Sequence, residues 1–137
     1  MASEWVHSKV GDVAEINPEA IGREWPFPYI RYIDISSVGE GTILETPQMI
    51  NLAEAPSRAK RLVRQGDTVL SSVRPNRRSM FFASGPSPDW VVSTGFVVLR
   101  PRRDRIDPRY LYACVFDRQF TEYLVLQRKV TGEPPFR

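Results

Sequence analysis

The sequence has very few of the residues from which catalytic and metal sites are usually built. It contains one cysteine, Cys114, and one histidine, His7, among 137 residues. A single thiol excludes an internal disulfide, and its apolar neighbours predict a buried thiol in a reducing, cytoplasmic compartment. A lone histidine near the N-terminus fits an exposed or packing role better than general-base catalysis. Because no metal-ligand spacing is present, we expect neither a metal nor a cofactor.

Other functional signatures are also absent from the sequence. No apolar run approaches the roughly 20 residues of a membrane span, and the first residues mix charges without an apolar signal core. The sequence has no nucleophile elbow, no phosphate-binding loop and no dinucleotide-binding glycine motif. We therefore expect a non-catalytic protein without a membrane partner. The length of 137 residues predicts one domain over residues 1–137.

Charge is distributed unevenly along the chain. Residues 1–54 hold three Lys or Arg against nine Asp or Glu, whereas residues 55–82 hold seven against one. Residues 83–137 hold nine against six, so the three net charges of −6, +6 and +3 sum to the formal +3. A strongly basic centre is typical of proteins that bind a polyanion.

The basic centre includes a loop between two strand-like runs. Residues 68–73 and 79–83 are rich in β-prone residues, and Arg74, Pro75, Asn76, Arg77 and Arg78 separate them. Arginine makes bidentate hydrogen bonds to phosphate or guanine, and asparagine makes them to adenine. We predict base-edge contacts from Arg74, Asn76, Arg77 and Arg78, although an ordinary solvated hairpin tip has similar composition.

Further cations precede this loop and hydroxyl groups follow it. We predict that Arg58, Lys60, Arg61 and Arg64 contact the DNA backbone and mainly position the duplex. Ser93 and Thr94 precede Gly95 in a strand-rich region, where they would add hydroxyl contacts or stabilise a turn.

Periodicity predicts several β elements. We expect a strand in residues 29–36, a partner strand in residues 41–44 and a short helix in residues 56–60. The run WVVSTGFVVLR at residues 90–100 predicts two core strands that meet at a bend around Gly95.

Helices are expected after residue 107. Asp107 and Pro108 form a helix-start signal, and apolar residues then recur at helical spacing up to residue 126. Asp117 offers a second cap that would divide this segment into two helices. The predicted fold class is α+β, a single globular domain with a mixed, largely antiparallel twisted sheet and C-terminal helices.

The order of these segments resembles a known family. KVGDVAEI, YIRYIDIS, GDTVLSSV, STGFVVLRP and DPRYLY occur in this sequence in the order found in the target recognition domain of type I restriction-modification specificity subunits. The resemblance covers residues 5–132. It implies a non-catalytic domain that reads one half of a bipartite double-stranded DNA sequence through the major groove.

The resemblance also implies partners. A complete subunit of this family carries a second recognition domain and long spacer helices, which dock the DNA methyltransferase (modification) subunits in a complex with the restriction/translocase subunit. This sequence ends at TGEPPFR, before the segment expected to lead into a spacer helix. We therefore expect one recognition domain, truncated before that helix.

Two other functions remain open on composition alone. The acidic first third of one copy and the basic centre of another would suit a self-associating interaction domain. Alternatively, Phe81, Phe82 or Trp90 would stack on unpaired bases in a small RNA-binding module, although core packing suits these aromatic residues better.

Overall fold

The computed structural model describes residues 10–131, with side chains described through residue 130. His7 and the C-terminal residues 132–137 lie outside the described residues. Within the described part, the strands are β1 (Ala14–Ile16), β2 (Tyr29–Ile33), β3 (Gln48–Asn51), β4 (Ala59–Leu62), β5 (Thr68–Ser71), β6 (Met80–Phe82), β7 (Trp90–Ser93) and β8 (Phe96–Pro101). The helices are α1 (Pro108–Phe116) and α2 (Arg118–Thr131), with short 3-10 helices at Ile35–Ser37, Leu52–Glu54 and Pro75–Arg77. Residues 10–13 are also helical.

The strands form two four-stranded sheets. The first has the order β1-β8-β5-β6 and is antiparallel throughout. The second has the order β3-β2-β7-β4, in which β2 and β7 run parallel. The predicted α+β class, with largely antiparallel strands and C-terminal helices, is confirmed, and the strands are divided between two sheets.

The first sheet is buried on both faces. Alternate side chains of a strand point to opposite faces, so Val69 and Val98 face the second sheet while Leu70 and Val97 face the helices. Helices α1 and α2 cover the latter face with apolar residues that include Leu111. Burial on both faces explains why these strands read as continuous apolar runs.

The second sheet packs its other face against connecting segments. Ile30 and Val91 are fully buried there, and Trp25 packs against them from the loop before β2. The molecule therefore has four layers in the order helices, first sheet, second sheet and loop segments.

The strand predicted in residues 29–36 is confirmed as β2, but two other predictions are wrong. The partner of β2 is β3 (Gln48–Asn51), whereas residues 41–44 make only an isolated bridge between Val38 and Ile43. β3 is an edge strand with mostly exposed residues, so it has no apolar pattern to reveal it. The segment predicted as a helix in residues 56–60 instead enters β4, because pairing with β7 overrides the weak local helical preference.

The two strands predicted in residues 90–100 are confirmed as β7 and β8. The turn between them carries the chain from the second sheet to the first. The helix start is also confirmed, since the Asp107 carboxylate accepts hydrogen bonds from the backbone N–H groups of Arg109 and Tyr110. Asp117 accepts one from the N–H of Gln119 and separates α1 from α2, as predicted.

Candidate nucleic-acid interface

Three segments meet at one end of the two sheets. The N–H of Thr94, in the β7–β8 turn, donates to the carbonyl of Arg58 over 2.8 Å. The carbonyl of Gly95 in the same turn accepts from the N–H of Ser72 over 3.0 Å. Because Ser72 opens the β5–β6 loop, these backbone bonds bring the predicted loop next to Arg58 and Thr94.

A tight turn presents the loop side chains outward. Pro75 is buried and begins a 3-10 turn in which the N–H of Arg77 donates to the carbonyl of Arg74 over 3.1 Å. Proline fixes its own φ and suits the first position of such a turn. Arg74, Asn76 and Arg77 project from this turn and are exposed.

The exposed residues at this end are polar and mostly basic. We call it the basic edge and define it as Arg58, Lys60, Arg74, Asn76, Arg77 and Thr94, all of which are exposed. Among residues 10–130, no carboxylate forms an ion pair with any of its four cations. No carboxylate among the described residues therefore neutralises these charges.

The structure corrects the predicted role of Arg78. Its side chain is only 5% exposed, and its guanidinium donates to Thr121 Oγ1 over 2.6 Å and to the Phe116 carbonyl over 2.7 Å. Its Nε lies 3.2 Å from Glu40 Oε2, and the group stacks 4.8 Å from the centre of the Phe116 ring. Because these contacts occupy the guanidinium inside the protein, Arg78 is not available to an external ligand.

Arg64 lies away from the basic edge. It follows β4 at the end opposite Arg58, where its guanidinium donates to both oxygens of Glu19 over 3.0 Å. This bidentate pairing raises the pKa of Arg64. The structure therefore shows Arg64 in an ion pair within the protein, although its side chain is 56% exposed.

Arg61 and Ser93 are also turned away from solvent. Arg61 is half-buried and pairs across the strands with Val92, so its side chain lies on the inner face of β4, where burial lowers its pKa. Ser93 is buried, and its Oγ accepts from the N–H of Gly95 over 3.1 Å. Of the two roles considered for Ser93, the structure shows the turn contact.

Sequence reasoning missed a charged cluster at the opposite end of the first sheet. Asp67 is fully buried and accepts two hydrogen bonds from Arg100, from Nε over 3.1 Å and from Nη2 over 3.0 Å. Asp67 also accepts from the backbone N–H of Arg64 over 2.8 Å, and Arg100 contacts Glu19 as well. We call Glu19, Arg64, Asp67 and Arg100 the paired cluster.

The paired cluster changes the ionisation of Glu19. Hydrogen bonds from Arg64, and then from Arg100, outweigh the effect of burial and lower the pKa of Glu19 from 4.5 to about 2. Asp67 follows the turn signal at Gly66, but no local pattern indicates that its partner is a residue on β8. The cluster is therefore visible only in three dimensions.

A second group of arginines follows β8 and was not singled out from the sequence. Arg102, Arg103, Arg105 and Arg109 are exposed. Arg103 donates to the Gln65 carbonyl over 2.9 Å and Arg105 to the Asp12 carbonyl over 2.9 Å, whereas Arg109 stacks on Phe82. Three of these four side chains thus have contacts within the protein, unlike the arginines of the basic edge.

The described residues do not form a candidate metal site. Across residues 10–131, no three His, Cys, Asp or Glu side chains are grouped so that they could hold a metal ion. Neither helix in this range has the length and apolar character needed to cross a bilayer.

Comparison with known proteins shows which family the chain resembles. No family model matches the chain. The specificity subunit of the type I restriction enzyme HindI from Haemophilus influenzae is 27% identical over 124 residues, 88% of this chain and 26% of that subunit. The crystal structure of the HsdS subunit from Thermoanaerobacter tengcongensis is 31% identical with a TM-score of 0.66, over 75% of this chain and 27% of that one.

A second solved structure agrees more fully in fold. A chain from a study of complex assembly and conformational transition of the type I R-M system is 27% identical, with a TM-score of 0.78. The match covers 93% of this chain and 33% of that one. The chain is similar in sequence and fold to one part of the type I restriction-modification specificity subunits. The family prediction made from the order of motifs is thus confirmed.

The match concerns one part of a specificity subunit. This chain spans about a quarter of the curated relative and between a quarter and a third of the two solved chains.

Proposed function

We propose that this domain recognises double-stranded DNA as the non-catalytic specificity module of a type I restriction-modification system. It reads one half-site through the major groove. The observation that carries the proposal is the basic edge, where Arg58, Arg74 and Arg77 are exposed and have no carboxylate partner among the described residues. The family match supports the same function.

The chemistry of the basic edge suits two kinds of contact. The guanidiniums of Arg74 and Arg77 match the O6 and N7 acceptors of guanine, and the Asn76 carboxamide matches the N6 and N7 groups of adenine. Arg58 immediately precedes β4 of the second sheet and Lys60 lies on it, where phosphate contacts would orient the duplex.

The size of the basic edge is compatible with a groove and its flanking phosphates. Two backbone hydrogen bonds, from Thr94 to Arg58 and from Ser72 to Gly95, connect Arg58 to Arg74 through short chain segments. Standard strand and Cα spacings therefore place their backbones within about 20 Å of each other, against a major groove about 12 Å wide.

Structural observations count against the two other functions considered. Glu19 and Glu40, from the acidic first third, pair with Arg64 and Arg78 within the same chain, which reduces the charge left for head-to-tail association. Phe81 is buried in the core, and the Phe82 ring contacts Tyr112 and Arg109. These aromatic residues therefore offer little open ring surface for base stacking.

Fluorescence anisotropy with generic duplex DNA over a range of salt concentrations tests the proposal. We expect affinity to fall steeply with salt, because each phosphate contact adds about 0.9 to the slope of log affinity against log salt. A duplex preferred by the protein is then selected from a randomised pool. Arg77→Ala should cost about 1 to 3 kcal/mol on that duplex, whereas Arg58→Ala should weaken all duplexes alike.

Arg102→Ala is the matched control, since Arg102 is exposed but follows β8 at the end away from the basic edge. Equal losses for Arg77→Ala and Arg102→Ala would contradict the assigned surface. Affinity that does not depend on salt, a preference for single strands, or self-association without DNA would contradict the function itself.

The domain boundaries and the assembly belong to the same proposal. We take residues 1–137 as one recognition domain, which acts in the cytoplasm beside a second recognition domain, modification subunits and a restriction/translocase subunit. The test is copurification of this chain with the modification subunits of a type I system, when all are produced in the same cells. Failure to form that complex, with DNA binding retained, would contradict the assembly alone.

A further inference from the structure

Arg78 joins three separate segments at the base of the β5–β6 loop. Its terminal nitrogens donate to Thr121 Oγ1 in the first turn of α2 and to the Phe116 carbonyl at the end of α1. Its Nε forms an ion pair with Glu40, in the connection between β2 and β3. One guanidinium thus ties the loop to the α1–α2 junction and to a neighbouring turn.

Burying the Arg78 guanidinium costs free energy of desolvation. A guanidinium loses its hydration when it is buried and is tolerated only where its donors are paired. Arg78 also has a φ of 54°, a left-handed conformation that non-glycine residues rarely adopt. The last residue of the loop is therefore both buried and conformationally restricted, while Arg74 and Arg77 beside it are exposed.

We propose that Arg78 is a positioning residue that sets how strictly this domain discriminates between DNA sequences. It holds the turn of Pro75–Arg77 at a defined angle to the two helices, so that Arg74, Asn76 and Arg77 are presented in one geometry. The inference rests on the proposed function.

Discrimination depends on geometry more than overall affinity does. A bidentate contact to a base edge requires the plane of the side chain to be oriented, whereas attraction to phosphate tolerates movement of the charge. A loosened loop should therefore retain most of its non-specific affinity and lose its preference for one sequence.

The contacts of Arg78 allow graded variants. Arg78→Lys keeps the positive charge but loses the planar fork that spans Thr121 and Phe116. Arg78→Met removes the charge, and Thr121→Val removes one hydrogen bond while keeping the side-chain shape. Arg31→Met is a matched control, because it breaks the Arg31–Asp89 ion pair in the second sheet without touching the loop.

The main measurement is the ratio of affinities for the selected duplex and for a scrambled duplex. We expect Arg78→Lys, Arg78→Met and Thr121→Val each to lower this ratio, by about tenfold for the two Arg78 variants. Scrambled-duplex affinity should change less than twofold, and the salt slope should stay as in the parent protein. A direct phosphate contact from Arg78 would instead lower the slope by about 0.9 in Arg78→Met.

A second measurement needs no DNA. Trypsin cleavage after Arg77 reports opening of the loop, and we expect it to be about tenfold faster in Arg78→Met and clearly faster in Thr121→Val, but unchanged in Arg31→Met. Thr121→Val keeps the test valid if Arg78→Met does not fold.

These readouts separate the inference from the proposed function. If the parent protein binds no DNA but cleavage after Arg77 accelerates in both variants, the proposed function fails and the loop-holding role of Arg78 stands. The positioning role would be overturned if the variants left the rate of cleavage or the affinity ratio unchanged. It would also be overturned if Arg78→Lys had the same affinity ratio as the parent protein.

Discussion

Arginines at the two ends of the β5–β8 pair have opposite surroundings. At the start of β5, the paired cluster surrounds Arg64 and Arg100 with the carboxylates of Glu19 and Asp67. Beyond the end of β5, Arg74 and Arg77 project into solvent without such partners. Both groups belong to arginine-rich stretches of sequence, so arginine density alone does not distinguish a structural cation from one that is free to bind a ligand.

Burial of the acid explains the difference. Asp67 is fully buried at the start of β5, and a buried carboxylate must be paired and hydrogen-bonded to remain charged. It therefore recruits nearby guanidiniums into the fold. Among the described residues, no buried acid lies at the corresponding position beside the basic edge. The buried guanidinium next to it, that of Arg78, contacts Glu40 and the helix junction instead.

The largest expected effect concerns the paired cluster. Asp67→Ala leaves two donors of Arg100 and the backbone N–H of Arg64 without their acceptor, so we expect the free energy of unfolding to fall by about 3 kcal/mol. Urea denaturation measures it. Asp104→Ala, which removes an exposed carboxylate, should change it by less than about 0.5 kcal/mol. Equal effects of the two substitutions would break the comparison between the two ends.

A middle-sized effect should separate stability from binding. Arg58→Ala combined with Lys60→Ala should lower the salt slope of DNA binding by about 2, because both assigned phosphate contacts are lost. The same pair should leave the free energy of unfolding within about 0.5 kcal/mol of the parent, since neither side chain forms an ion pair with the described residues and both are exposed.

Arg64→Ala should show the reverse pattern. Its exposed ion pair with Glu19 predicts a loss of up to about 1 kcal/mol in stability and no change in the salt slope. A loss of DNA affinity in Arg64→Ala without a loss of stability would return Arg64 to the contact surface.

The smallest effect should appear in acid. The pKa of Glu19 is lowered from 4.5 to about 2 in the folded protein, so its contribution is complete above the unfolded value. That contribution is lost as the pH falls from about 4.5 towards 2, because the unfolded chain then binds more protons than the folded one. Urea denaturation across this range should show a smaller acid loss in Glu19→Gln than in the parent. Since Glu19 is partly exposed, we expect a difference below about 1 kcal/mol.

Local sequence patterns were sufficient where one element determines its own structure. The cap signals at Asp107 and Asp117 predicted both helices because each cap is a short-range hydrogen bond to the following turn. The apolar run at residues 90–100 predicted buried strands, because a strand that is buried on both faces needs apolar side chains at nearly every position. The loop at residues 74–78 was found from its composition, and its residues Arg74, Asn76 and Arg77 are exposed.

Patterns failed where a distant partner decides. β3 has no apolar alternation because it is an exposed edge strand, and the start of β4 was misassigned because its pairing with β7 is long-range. Arg78 resembles Arg77 in sequence, yet Thr121, Phe116 and Glu40 hold it inside the protein.

The sequence by itself determined the resemblance to a family, the α+β class, the two helices and the position of a basic loop, because these depend on the order of motifs and on local chemistry. Only the tertiary structure decided which arginines are free. An ion pair depends on where the fold places a carboxylate, and Glu19, Glu40 and Asp67 reach their arginine partners through contacts between elements that are far apart in the chain.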